Sequence, residues 1–433
     1  MSVMRNLVLA GLLWPAVSIA QNIDALYQQG RAEVAAGNLL AAVTVYTAII
    51  STDPGQAAAH FQLSQLGLDM DDLKIAQEHI RQAIELDQRN QEYRDFANEI
   101  VTITDGLRDA KRSHDNRQYG NAIQKYDELI AAYANFATLY YRKGLSLQSN
   151  GQVEQAVVAF RSAIEHNPRS ANYPKAIRAL AVREYQKGDQ YYRIRDWLPA
   201  EEQFTKALEI DPAFDQAYYR LARTLGRQDR SAEAIAVLDR AIAQNPAYMP
   251  VRLEKGNLLR SEERNQEAAV TYRGALAVDP GDHRAMVGLG QALKTDNPAE
   301  AAVQLEMALA IKPDIVTANE LLGEIYSQQE QWVKARPYLA TAVELKPKDH
   351  FTLWRLAHVE NNLGSWEAAK DLARRSVGIE GKFQPGWYEL GMARMELGET
   401  AGAIQAFKQA ERGRDRVTAA DAARERKRLE VRR

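Results

Sequence analysis

The residues best suited to acid–base or metal chemistry are the seven histidines, His60, His79, His114, His166, His283, His350 and His358. A helix-borne zinc centre needs two histidines one turn apart with a glutamate beside the first, so that both rings face one ion. The seven do not form that pattern. His350 and His358 are eight residues apart and could share a helix side, but no spaced carboxylate completes a ligand set. A phosphate-cradling loop follows a strand, and Gly288-Leu289-Gly290 has no strand before it. No serine elbow appears beside a strand and a base. Carboxylates are plentiful, with 57 Asp and Glu. Glycoside hydrolysis needs two of them held at a controlled separation across a cleft, which sequence phase does not set. Absence of cysteine removes thiol nucleophiles, thiolate metal sites and disulfides together. The sequence assigns no catalytic residue, no metal ligand and no cofactor, and predicts that the protein is not an enzyme.

Tyrosine and arginine remain as residues able to recognise a partner, and the elements that present them are legible. A helical repeat of about 34 residues returns eleven times between Ile23 and the C-terminal tail, the mark of a solenoid. The second helix of each copy carries a small residue: Ala42, Ala76, Ala122, Ala156, Ala200, Ala234, Ala268, Ala301, Ala335, Ala369 and Ala403. Four residues later a large apolar side chain follows, from Tyr46 to Phe407, with Ala373 the small exception. Three residues further stands Ile49, Leu129, Ser376 or, in the other copies, alanine. Spacings of four and three keep these positions on one helix face. The first helix has its own small mark at Gly30, Ser64, Ala110, Gly144, Gly188, Ala222, Gly256, Gly290, Gly323, Ala357 and Gly391. Glycine inside a helix costs up to about 1 kcal/mol against alanine, so its recurrence predicts a close helix crossing. Asp53-Pro54, Asn167-Pro168, Asp211-Pro212, Asn245-Pro246, Asp279-Pro280, Lys312-Pro313 and Lys346-Pro347 close seven second helices. Proline disfavours helical geometry in the residue before it and resets the chain.

The organisation follows from that phase. Residues 1–20 read as a secretion signal: Arg5, an apolar run from Leu7 to Trp14, then Ser18 and Ala20 as small cleavage residues. The run is too short for a stable membrane anchor, and the mature chain is expected to begin at Gln21, soluble, in a bacterial periplasm. Helical repeats fill 21–102. Repeats with an inserted helix or turn fill 103–180, and continuous repeats 181–417. Residues 91–102 and 171–180 interrupt the phase with helix-compatible sequence, which predicts lengthened helices or extra turns. Residues 418–433 read as a basic capping helix. Residues 412–433 carry nine Lys or Arg against four Asp or Glu. Over the whole chain the formal net charge is −2, which gives no global reason to expect nucleic acid as partner.

These marks resemble the tetratricopeptide repeat family. The motif is clearest in Tyr218, Leu221 and Ala222 through Ala234, Leu238, Ala241 and Pro246, and recurs in Tyr140, Gly144, Ala156, Phe160, Ala163 and Pro168. The resemblance covers about residues 23 to 417. It implies an all-α, right-handed solenoid of about eleven helix pairs with a C-terminal capping helix. It also implies that first helices line a concave face which binds an extended peptide or another protein. The family's Lys and Asn clamp for a terminal carboxylate is incomplete, because Asn257 and Lys294 lack the matching neighbours. By repeat phase, Tyr141, Tyr185, Tyr192 and Tyr219 fall on or near the inner face. Arg193, Arg223, Arg227, Arg260 and Lys294 add positive character, and Trp354, His358, Asn361 and Tyr388 form a second polar-aromatic stretch. Tyrosine and arginine join broad contact area to polar donors. The same rings also seal helix pairs in such folds, with arginine covering their edges. The reading is a periplasmic scaffold or adaptor whose partner is another envelope protein or an extended peptide, serving envelope assembly or polysaccharide export. The alternative is a component that binds or processes glycan directly, an anionic glycan included. Oligomeric state is not legible.

Overall fold

A computed structural model describes residues 23–431, so the expected secretion signal lies outside the described residues. Among the described residues every regular element is an α-helix, from Ile23–Ala35 to Arg416–Val431. Helices joined by short turns pack against each other in sequence order from Ile23–Ala35 to Val153–His166 and again from Asp215–Gly226 to Arg416–Val431, as short connections between antiparallel helices require.

All eleven second-helix alanines have no exposed surface. The large side chains four residues later are buried as well, among them Tyr46, Tyr126, Phe160, Tyr272 and Phe407. The expected close crossing is present: a Cβ added at Gly144 would lie 2.5 Å from the Phe160 ring, and one at Gly391 2.5 Å from the Phe407 ring. Where serine replaces glycine, Ser64 Oγ donates to Ala76 O at 2.6 Å, so its polar atom is satisfied in the same narrow space. At the exits, Asp53, Asn167, Asn245, Asp279, Lys312 and Lys346 each leave helical geometry as a C-cap. The two interruptions are absorbed as long helices, Gln91–Asp115 and Asn172–Arg193. The final helix, Arg416–Val431, buries Ala422 and Leu429 against the last pair and exposes most of its charge.

A further regularity sits in the turn inside each pair. Asp71, Arg117, Arg195, Asp229, Glu263 and Glu330 have φ between 55° and 63°, and Gly37, Gly151, Gly364 and Gly398 between 74° and 82°. All ten occupy the same phase of the repeat. Only the 283–315 copy lacks such a residue. It is one residue shorter, and Asn297-Pro298 starts its second helix directly, with Asn297 Oδ1 accepting from Glu300 N.

The chain divides into two compact units. One runs to Glu184 and includes Glu209–Pro212, and the other holds Tyr185–Leu208 and the chain from Ala213 onward. In the first unit, non-neighbouring repeats touch. Asp71 accepts from Thr138 N at 2.9 Å, from Thr138 Oγ1 at 2.8 Å and from Tyr173 Oη at 2.6 Å. Burial raises the Asp71 pKa despite those bonds, and burial with the Asp71 bond pushes Tyr173 up to about 12. In the second unit each first helix from Asp215–Gly226 to Gln384–Glu396 touches the next first helix.

Candidate partner-binding face

The candidate residues divide between the units. Tyr141 lies in the first, where its ring packs 5.7 Å from Phe160 and 5.0 Å from Tyr173. It seals a helix pair. The others lie in the second unit. Tyr185 is similarly wedged, 5.5 Å from Phe204 and 5.2 Å from Phe214, though its hydroxyl accepts from Arg220 Nε at 3.4 Å.

Tyr192 is the hub. The Arg220 guanidinium stands 5.0 Å from its ring centroid and that of Arg223 6.0 Å, while Arg223 also lies 5.6 Å from the Tyr219 ring. Trp197 meets Tyr192 edge-on at 5.3 Å. A guanidinium over a ring face gains about 0.5–1 kcal/mol at an exposed site, so these contacts order both arginines. Arg193 is 77% exposed while paired to Asp189 at 2.7 Å. Arg227 is exposed. Arg260 is half-buried and turns toward the Tyr272 hydroxyl.

The charges on this face follow a rule. Asp189 pairs with Arg220 at 2.9 Å, Arg223 with Glu254 at 3.6 Å, Arg355 with Glu324 at 3.2 Å and His358 with Glu389 at 2.8 Å. The partners in each pair are 31 residues apart, because a residue late in one first helix faces an earlier residue of the next. Lys294 pairs with Glu324 at 2.8 Å across 30 residues, as the shorter repeat demands. The ladder stops at Asn257, whose counterpart 31 residues on is Gly288. There the Tyr272 hydroxyl donates to Asn257 Oδ1 at 2.8 Å. Burial raises the Glu254 pKa, opposed by Arg223 and Arg227. The bond to Glu389 raises the His358 pKa against the effect of burial.

The second stretch is more internal than phase alone suggested. Asn361 Nδ2 donates to Glu389 O and Oε2, and Trp354 meets Phe383 edge-on at 5.6 Å. Tyr388 packs 6.0 Å from Phe407. Sequence reading missed Asp189, Arg220, Glu254, Glu324, Arg355 and Glu389, although opposite charges at the 31-residue interval were a signal available to it. Among the described residues, no three His, Asp or Glu side chains are grouped to hold a metal ion. None of the helices described is long and apolar enough to cross a membrane.

Sequence models of the tetratricopeptide repeat match residues 24–55, 57–90, 137–170, 196–250, 253–314, 292–350 and 385–412. The chain belongs to the tetratricopeptide repeat family. Tetratricopeptide repeat proteins generally mediate protein–protein contact as scaffolds. Curated relatives include a DnaJ homolog subfamily C member 7 homolog of Dictyostelium discoideum, 25% identical over 38% of this chain and 32% of its own length. Superkiller protein 3 of Schizosaccharomyces pombe is 26% identical over 57% of this chain and 15% of its own length. The chain thus spans a third or less of those two relatives. Among solved structures, YrrB, described as a tetratricopeptide repeat protein with an unusual peptide-binding site, is 23% identical, with a TM-score of 0.41 over 43% of this chain and 97% of its own. Pseudomonas aeruginosa pilF is 18% identical, with a TM-score of 0.43 over 50% of this chain and 98% of its own.

Proposed function

We propose that this chain is a non-catalytic scaffold that captures an extended segment of a partner protein on the first-helix face of its second unit. The observation that carries the reading is the ordered cluster of Tyr192, Tyr219, Arg220 and Arg223, flanked by the exposed cations Arg193 and Arg227. The paired charges hold the first helices in register. The flanking arginines keep donors free for an acidic partner, and preorganised donors lower the cost of binding.

The setting assigned to it is the bacterial periplasm. This rests on the pattern of Arg5, the apolar run to Trp14 and the small residues Ser18 and Ala20. The partner is another envelope protein, and the use is envelope assembly or polysaccharide export, with positioning by multivalent contact in place of chemical turnover. Two measurements check this. N-terminal sequencing of the exported protein should begin at Gln21. Capture from envelope extract should fall at least about five-fold with Arg193→Ala/Arg227→Ala, given up to about 1 kcal/mol lost per exposed charge contact, while the circular dichroism melt stays unchanged. Undiminished capture, or saturable binding on a glycan array with no protein captured, would reject the reading.

A further inference from the structure

His60 and His79 lie 19 residues apart on the two helices of one pair, Ala57–Asp69 and Leu73–Leu86, where no sequence pattern joins them. The fold sets their Nδ1 atoms 3.0 Å apart. Their ring centroids are 5.2 Å apart, which is nearly the Nδ1–Nδ1 distance plus one ring radius at each end. The in-plane lone-pair directions of the two nitrogens therefore point at each other. Both rings are buried, at 8% and 7% exposure, and Ala76 and Ala83, one turn to either side of His79, have no exposed surface. The Pro54 carbonyl accepts from the His60 ring. With Nδ1 engaged by His79, Nε2 is the nitrogen left to donate, which makes His60 Nδ1 an acceptor and His79 Nδ1 the donor. A backbone carbonyl on the far nitrogen is the arrangement that fixes the tautomer and orientation of a metal-bound histidine.

Two neutral imidazole nitrogens aimed at each other suit an ion that binds two donors in a line. Divalent zinc takes four ligands, and among the described residues no three His, Asp or Glu side chains are grouped to supply them. With no carboxylate in the pair, a buried double charge would also be uncompensated. A closed-shell d10 ion of single charge needs neither, because two imidazoles in a straight line complete its coordination. We propose that His60 and His79 form a two-coordinate copper(I) site, with the ion lying between the two Nδ1 atoms. Metal–imidazole bonds of about 2 Å each set the nitrogens about 4 Å apart, so the rings part by about 1 Å, toward the edges they keep at the surface. Copper(I) takes the place of the shared proton. His79 releases that proton from Nδ1 and takes one up at Nε2, so both rings stay neutral and the site carries only the charge of the ion. The ion ties the first helix of the pair to the second and stabilises the folded chain by mass action. This site belongs to the first unit and does not depend on the function proposed for the face of the second.

The test uses the full chain, under nitrogen with ascorbate, and the copper(I)–bicinchoninate complex, whose colour fades as the protein withdraws the ion. One copper(I) per chain should be withdrawn, and the Cu K-edge absorption spectrum should show two nitrogen ligands at about 2 Å. His60→Gln and His79→Gln should each weaken uptake at least about 100-fold, beyond the roughly 10–100-fold that loss of a supporting hydrogen bond costs a metal site. His114→Gln/His166→Gln alters histidines bonded to Ser146 and stacked on Tyr140, and should leave uptake unchanged. The spectrum of the unaltered chain decides the matter even where a variant unfolds. The proposal is overturned if no copper(I) is withdrawn from the chelator, if the spectrum shows sulfur or three or more ligands, or if uptake is undiminished in His60→Gln.

Discussion

At the scale of single residues, the chain uses polar side chains mainly to hold its own helices. His60 and His79 show this most plainly: both are buried, with their Nδ1 atoms 3.0 Å apart. Only one can donate, so at least one ring is neutral. Burial lowers both pKa values, with His60 adding to the effect on His79. Their stability contribution is present above the ordinary imidazole pKa of about 6.5 and is lost as pH falls toward the lower folded values. His358 has the opposite sign. Its contribution is complete below the ordinary value and is lost as pH rises through the raised folded value. Imidazole NMR titration should find His60 and His79 below free histidine and His358 above it, and His358→Gln should lower the melting temperature more at about pH 5.5 than at about pH 8.5. Tyr272 supplies a second case. Cβ atoms at Gly256 and Gly288 would lie 2.5 Å and 2.4 Å from its ring, so the ring has glycine on both sides and nowhere to retreat. Gly288→Ala should therefore cost about 1–3 kcal/mol in urea unfolding, as overpacking does. The binding residues were legible in type but only partly in placement. Repeat phase locates a side chain on a helix face, and Tyr192 and Arg223 do meet there. It does not say that Tyr141 and Tyr185 are taken up by neighbouring rings.

At the scale of the helix pair, the sequence announced both the crossing and the exit. Small residues opposite large rings require close approach, and Asp-Pro or Asn-Pro ends a helix for reasons internal to the backbone. The turn within each pair was not announced. Glycine fills its positive-φ position at Gly37, Gly151, Gly364 and Gly398, but Asp, Arg or Glu fills it in six other copies. Those six carry a backbone cost of about 1–2 kcal/mol each that the surrounding helices impose. Glu263 is exposed, so Glu263→Gly should raise stability by about 0.5 kcal/mol once the greater freedom of unfolded glycine is subtracted. Gly151→Val should lower it by about 1–2 kcal/mol. No atom lies within 4 Å of the added Cβ there, so the loss isolates the backbone term. Chemical denaturation of both variants checks the pair of signs. The long helices Gln91–Asp115 and Asn172–Arg193 were foreseeable from helix-compatible sequence between repeats. The Asp71 contacts that accompany them were not, because Thr138 and Tyr173 lie 67 and 102 residues away and no local pattern links them.

At the scale of the whole molecule, repetition makes the fold readable and the function hard to read. Eleven alanines at one phase specify stacked pairs whatever the chain binds. Repetition of the packing residues leaves other positions to vary, such as Arg193, Arg227 and Asn257. In the 31-residue ladder a charge on one first helix meets its opposite on the next, from Asp189–Arg220 to His358–Glu389, so substitution of one partner should weaken the register of two repeats together. The central claim is that the first-helix face of the second unit is where a partner polypeptide is held. Site-specific photo-crosslinking tests it most directly, with the probe placed either at Arg227 on that face or at Val270, a second-helix position that is 66% exposed. The account predicts that one polypeptide is crosslinked from position 227 in intact cells and not from position 270. Crosslinking of a polypeptide from position 270 alone would contradict it.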